Sequence, residues 1–152
     1  MTQQTTKEMD LLRNLIGKWD VGIALRTTEG KVAAGCGDMS AVETESGINS
    51  EINTHIEGYV DYYENDLWAV DAETGQIHLY SVNSEGESYD HIGRWRDDGT
   101  LELNWRGTFE DQDQEENVIA HWVDKDQFEL RQTSYNRNKP LLTTDYIFKR
   151  VT

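Results

Sequence analysis

At 152 residues, with 36% apolar side chains and a formal charge of -15, the chain has the length of one domain and the polarity of a thin-walled fold. Twenty-nine acids against 14 bases make a surface that repels phosphate backbones and anionic lipid heads, which excludes nucleic acid and membrane surfaces as expected partners. No run reaches the ~18 apolar residues of a membrane span, and "MTQQTTKEMD" has no basic stretch or apolar core of a signal peptide, so a cytoplasmic location is expected.

The first element is a helix over about residues 6–16, with Thr6 as N-cap, Met9, Leu12 and Ile16 as one apolar stripe, and Gly17 as the stop. Beyond Gly17 the period changes to two. Strands are expected over 18–27, 31–46, 48–58, 65–73, 76–83, 87–96, 100–110, 116–124, 127–137 and 141–151. Turn residues separate them, among them Glu29-Gly30, Thr74-Gly75, Asp97-Asp98-Gly99 and Lys125-Asp126. Gly35 and Gly37, inside the second strand, mark an expected bend or bulge. Short links between ten strands imply antiparallel neighbours that close on themselves and remove their edges. The expected fold is therefore all-β: an antiparallel up-and-down barrel of about ten strands over 17–151, preceded by a short N-terminal helix, in one domain over 1–152. A two-sheet sandwich is the alternative.

A helix running into Gly17-Lys18-Trp19 at the first strand, before a meander of strands, resembles the lipocalin and fatty-acid-binding superfamily, the calycins. "LLRNLIGKWD" and "GRWRDDGTLEL" are similar to an uncharacterised branch of bacterial-type, cytoplasmic lipocalin-like domains of unknown function. In the superfamily the Trp lies at the closed end of the barrel under a basic side chain from the last strand. The resemblance thus implies a structural plug of Gly17, Trp19 and Arg150. Strand parity selects Arg150 over Lys149, because Tyr146, Phe148 and Arg150 share a face while Lys149 points with Ile147 and Asp145.

With Trp19 inward, Val21, Ile23 and Leu25 are inward too, and the same alternation places Ile48, Ile52, Ile56, Leu101, Leu103, Trp105, Phe128 and Leu130 inside. The last strand adds Leu142, Tyr146 and Phe148, and "ESYDHIGRWR" adds Tyr89, His91, Gly93 and Trp95. The candidate ligand-binding residues are Tyr89, His91, Trp105, Gln132, Ser134 and Tyr146, an aromatic lumen with a few polar groups. Such a lumen suits a small apolar or amphipathic molecule bound without catalysis. The alternative is a barrel filled by its own side chains.

No cofactor is expected. Resemblance to nitrobindin-like barrels raises haem, with His91 as the iron ligand, yet no His follows His121, where that family's His would fall near the C-terminal strands. His55, His78 and His121 stand singly, without metal-ligand spacing. Two further readings are an enzyme using His91 and Tyr89 as an acid–base pair, and a homodimer formed through outward residues such as Ile92 and Ile147. The lone Cys36 is expected to be a small buried residue. "EDQDQEEN", Glu110 to Asn117, is expected to be a solvated acidic turn.

Overall fold

The computed structural model describes residues 3–152. Among these, one helix, α1 (Gln3–Arg13), precedes ten strands: β1 (Gly17–Thr27), β2 (Val32–Thr44), β3 (Gly47–Ile56), β4 (Tyr62–Val70), β5 (Ile77–Asn83), β6 (Ser88–Trp95), β7 (Leu101–Phe109), β8 (Gln112–Asp124), β9 (Gln127–Asn136) and β10 (Lys139–Arg150). Each strand pairs antiparallel with its chain neighbour, and β1 closes the ring against β10, giving the up-and-down barrel with no free edge.

The helix differs from its expected bounds. It begins at Gln3, so the backbone of Thr6 lies within it and Thr6 is not the N-cap. Its inner stripe also shifts by one residue. Met9, Leu12 and Leu15 are buried, whereas Ile16 is exposed, because the chain leaves the helix after Arg13 and turns toward β1. Glu8 is the buried acid of the helix; burial raises its pKa, with Lys7 and Arg94 acting the other way.

Alternation along the strands sorts the side chains cleanly. In β1 the residues Trp19, Val21, Ile23 and Leu25 are buried and those between them face out. They meet Met39, Gly37, Gly35 and Ala33 on one side, and Arg150, Phe148, Tyr146 and Thr144 on the other. Gly35 and Gly37 are not bulges, since the β1–β2 and β2–β3 registers run through them unbroken. A Cβ on Gly37 would collide with the Asn53 carbonyl oxygen, so glycine is needed for the close approach of β3. The register shifts fall elsewhere, between Trp122 and Asp124 and between Pro140 and Leu142.

The acidic run is also not a loop. The β7–β8 turn is confined to Glu110 and Asp111, both at positive φ (49° and 60°), and β8 already starts at Gln112. Cys36 is exposed on the outer wall, opposite Gly22 and His55, which corrects the buried assignment. Ile92 and Ile147 are exposed, but they sit on β6 and β10, four strands apart around the ring, and so do not form one patch.

Candidate functional site

The lumen has two levels. The lower one, beside α1, is a sealed floor. Trp19 is 1% exposed, and its indole nitrogen donates to the Leu15 carbonyl at 2.8 Å. The Arg150 guanidinium lies 4.2 Å above the Trp19 ring. From there it donates to the carbonyls of Ile16 (2.7 Å), Asn14 (2.8 Å) and Lys125 (2.9 Å). Carbonyls left free where the helix ends are thus capped by a cation, at the negative pole of the helix dipole. Backbone conformation, with φ at +132°, favours glycine at position 17. A side chain there would push the tip of Arg150 aside, since a Cβ would stand 2.7 Å from Arg150 Nη1. Aromatic packing continues the floor upward, with Trp122 5.8 Å from Trp19 and 4.6 Å from Phe128.

Above the floor lies a cavity of about 120 Å³. Its apolar wall includes Met39, Ile52, Trp68, Leu79 and Phe148. Its polar wall is a belt built by strand register. Ser50 pairs with Asp66, Asp66 with Ser81, and Ser81 with Tyr89 across β3, β4, β5 and β6. On the far side, Glu116 of β8 lies opposite Ser134, one inward position from the Val118–Gln132 pair. Tyr62, Glu64 and Tyr146 complete the polar lining.

Four of the six residues expected to bind a ligand line this cavity: Tyr89, His91, Gln132 and Tyr146. Trp105 and Ser134 do not line it. Trp105 stacks edge-on to Tyr89, 4.8 Å between centroids, and Ser134 sits in register beside Glu116 and Leu142. Sequence reasoning missed the carboxyls Glu64, Asp66 and Glu116. The available signal was parity: stepping back by twos from Val118 reaches Glu116, and from Trp68 reaches Asp66 and Glu64.

Electrostatically the belt is under tension. Burial pushes the Glu116 carboxyl up to about 7, helped by the nearby charges of Glu64 and Glu87. Asp66 is raised well above its usual range by burial first and by Glu64 second, with the Ser81 hydroxyl acting against it. Burial also raises Glu64. It depresses His91 to about 4, so the imidazole is neutral near pH 7 despite Glu116 Oε2 at 3.9 Å from its Nε2. Glu116 Oε2 accepts from Gln132 Nε2.

Three buried polar atoms facing the cavity meet no hydrogen-bond partner among the described residues, although the Asp66 carboxyl as a whole is held by Ser81, Ser50 and Glu64. Both ring nitrogens of His91 (5% exposed) and Oδ1 of Asp66 (8% exposed) are unsatisfied. Leaving such an atom unpaired costs about 1–3 kcal/mol. His91 and Tyr89 do not form an acid–base pair. Their rings are 6.1 Å apart, and the Tyr89 hydroxyl donates instead to Glu87 Oε2 at 2.7 Å. Haem does not fit: a cavity of about 120 Å³ is of the order of the ~150 Å³ that holds one benzene ring, far short of a tetrapyrrole.

No protein-family model matches the sequence, and no curated protein matches it. Solved structures align with the chain to different degrees. The S-type phycobiliprotein lyase CPES from Guillardia theta aligns over 100% of this chain and 99% of its own, with a TM-score of 0.65 and 10% identity. A protein of unknown function from the DUF3598 family of Nostoc punctiforme aligns over 99% of this chain and 100% of its own, with a TM-score of 0.36 and 9% identity. The redesigned β-barrel mFAP1, solved bound to DFHBI, covers 91% of this chain and 97% of its own, with a TM-score of 0.35 and 14% identity. The class defined is a closed, antiparallel up-and-down barrel of ten strands behind one short helix. At 10% identity the likeness to the CPES lyase is one of fold alone, and function has to be argued from the site.

Proposed function

We propose that the barrel binds a small amphipathic molecule, about the size of one ring, in its lumen and does not transform it. The observation that carries this reading is the cavity of about 120 Å³ faced by the ring nitrogens of His91 and by Asp66 Oδ1, which meet no partner among the described residues. A core that merely filled itself would not keep unpaired polar atoms against a space. A ligand that supplies hydrogen bonds on one side and an apolar body on the other satisfies both walls. The Tyr89 hydroxyl is committed to Glu87, and His91 has no hydrogen-bonded relay, which favours binding over acid–base chemistry.

A thermal-shift screen with single-ring and short aliphatic compounds tests the reading. Binding in the lumen raises the melting temperature, and His91→Phe, which replaces the polar wall with bulk, abolishes the rise while the barrel stays folded. Absence of any stabilising compound, or a rise that survives His91→Phe, would contradict it.

A further inference from the structure

The cavity's chemistry narrows the ligand, on the reading just given. Three carboxyl groups, from Glu64, Asp66 and Glu116, reach the lining from two strands on opposite sides of the barrel, and no Lys or Arg joins them. His91 is 5% exposed, with both nitrogens unpartnered and Glu116 3.9 Å away. As a neutral imidazole it offers one lone pair to a donor. Asp66 adds the free Oδ1. Apart from the one imidazole N–H, the unmet capacity of this wall is therefore for accepting hydrogen bonds, and its three carboxyls, whose ionisation burial disfavours, gain most from a cation placed among them.

We propose that the lumen selects a small organic cation, an ammonium group carried on one ring or a short aliphatic body, and rejects anions. An ammonium brings donors and no acceptor, which is the complement of this wall. Charge-assisted hydrogen bonds to Asp66 and Glu116 are about twice as strong as neutral ones. Trp68 and Tyr146 also line the cavity, and aromatic rings attract such a charge. A ligand carboxylate, by contrast, would meet three further carboxyl groups and no Lys or Arg among the described lining residues to neutralise it. The arrangement suits an organic cation better than a metal ion. Among the described residues, no three His, Cys, Asp or Glu side chains converge on one point as metal ligands do.

Three probes of matched ring size test the proposal by calorimetry on the intact protein: benzylamine, benzyl alcohol and benzoate. Benzylamine is expected to bind at least about tenfold tighter than benzyl alcohol, and benzoate to give no binding heat. Glu116→Gln and Asp66→Asn, both close in shape to the parent, are each expected to weaken benzylamine about tenfold and leave benzyl alcohol within about threefold. Benzyl alcohol binding as tightly as benzylamine, or any binding of benzoate, overturns the charge selectivity and leaves lumen binding standing. No heat from any of the three overturns both.

Discussion

The two levels of the lumen are built from the same alternating strands and treat their polar atoms in opposite ways. At the floor, the Trp19 indole and the Arg150 guanidinium find carbonyl partners, and the ring and the cation cover each other. One level up, the His91 ring nitrogens and Asp66 Oδ1 are buried yet unpaired, and three acids line the cavity with no Lys or Arg among the described lining residues. Buried polar groups cost least when satisfied, so the floor spends its polarity on closing the barrel. The belt keeps its polarity available. The difference separates what holds the fold together from what the fold presents.

The largest expected effect lies at the floor. Trp19→Ala removes a fully buried indole and the surface under Arg150, and is expected to cost about 3–5 kcal/mol in chemical denaturation. Equal stability of mutant and parent would break the distinction at once. Arg150→Ala frees the carbonyls of Asn14, Ile16 and Lys125, and is expected to cost about 2–3 kcal/mol. The belt should respond with the opposite sign. Glu116→Gln keeps an acceptor for Gln132 and removes a buried carboxylate, so without ligand it is expected to gain about 1–2 kcal/mol near pH 8. A loss of that size would mean that the belt stabilises the fold.

Acidification sharpens the same contrast. Glu116 titrates near 7 in the folded protein, above its usual range, so its contribution is present at low pH and lost as pH rises through about 7. Asp66 and Glu64 act in the same direction. His91, depressed to about 4, acts the other way: its contribution is present above its usual value of 6.5 and lost as pH falls toward 4. Facing Glu116 are Glu64, Asp66 and Tyr62 from β4, Glu87, Tyr89 and His91 from β6 and its approach, and Tyr146 from β10. The three raised acids outnumber the one depressed imidazole, so calorimetric melting should rise between about pH 8 and pH 5.5. His91→Gln enlarges that rise, and Glu116→Gln shrinks it. The smallest effect belongs to the outer wall. Arg131→Ala breaks an exposed bidentate pair with Asp145 and is expected to cost less than about 1 kcal/mol.

Period-two patterning made the strands legible, because a barrel wall with one wet face enforces it at every residue. The Gly17–Trp19 approach to Arg150 was legible for the same reason: parity alone separates Arg150 from Lys149. Part of the cavity was readable too, since Tyr89, His91, Gln132 and Tyr146 lie on strands whose apolar partners fix the inward side. Glu116 was hidden by its neighbours. It sits in an acidic run whose other members favour solvent, so composition suggested a turn where the strand continues from Gln112. Asp66 and Glu64 were hidden because an inward carboxylate contradicts the hydrophobic pattern used to find inward positions. Gly35 and Gly37 looked like irregularities, and only the approach of β3 shows that they serve close contact. Cys36 faces out because the residues that flank it, these two glycines, are the ones that face in.

The central claim is that the belt above the floor receives a cationic group. A crystal structure of the protein soaked with benzylamine tests it most directly. The claim predicts the amine nitrogen within hydrogen-bond distance of Asp66 or Glu116, and the ring against Trp68 or Phe148. Benzylamine found only on the outer wall, with side chains closed over the cavity, would contradict it.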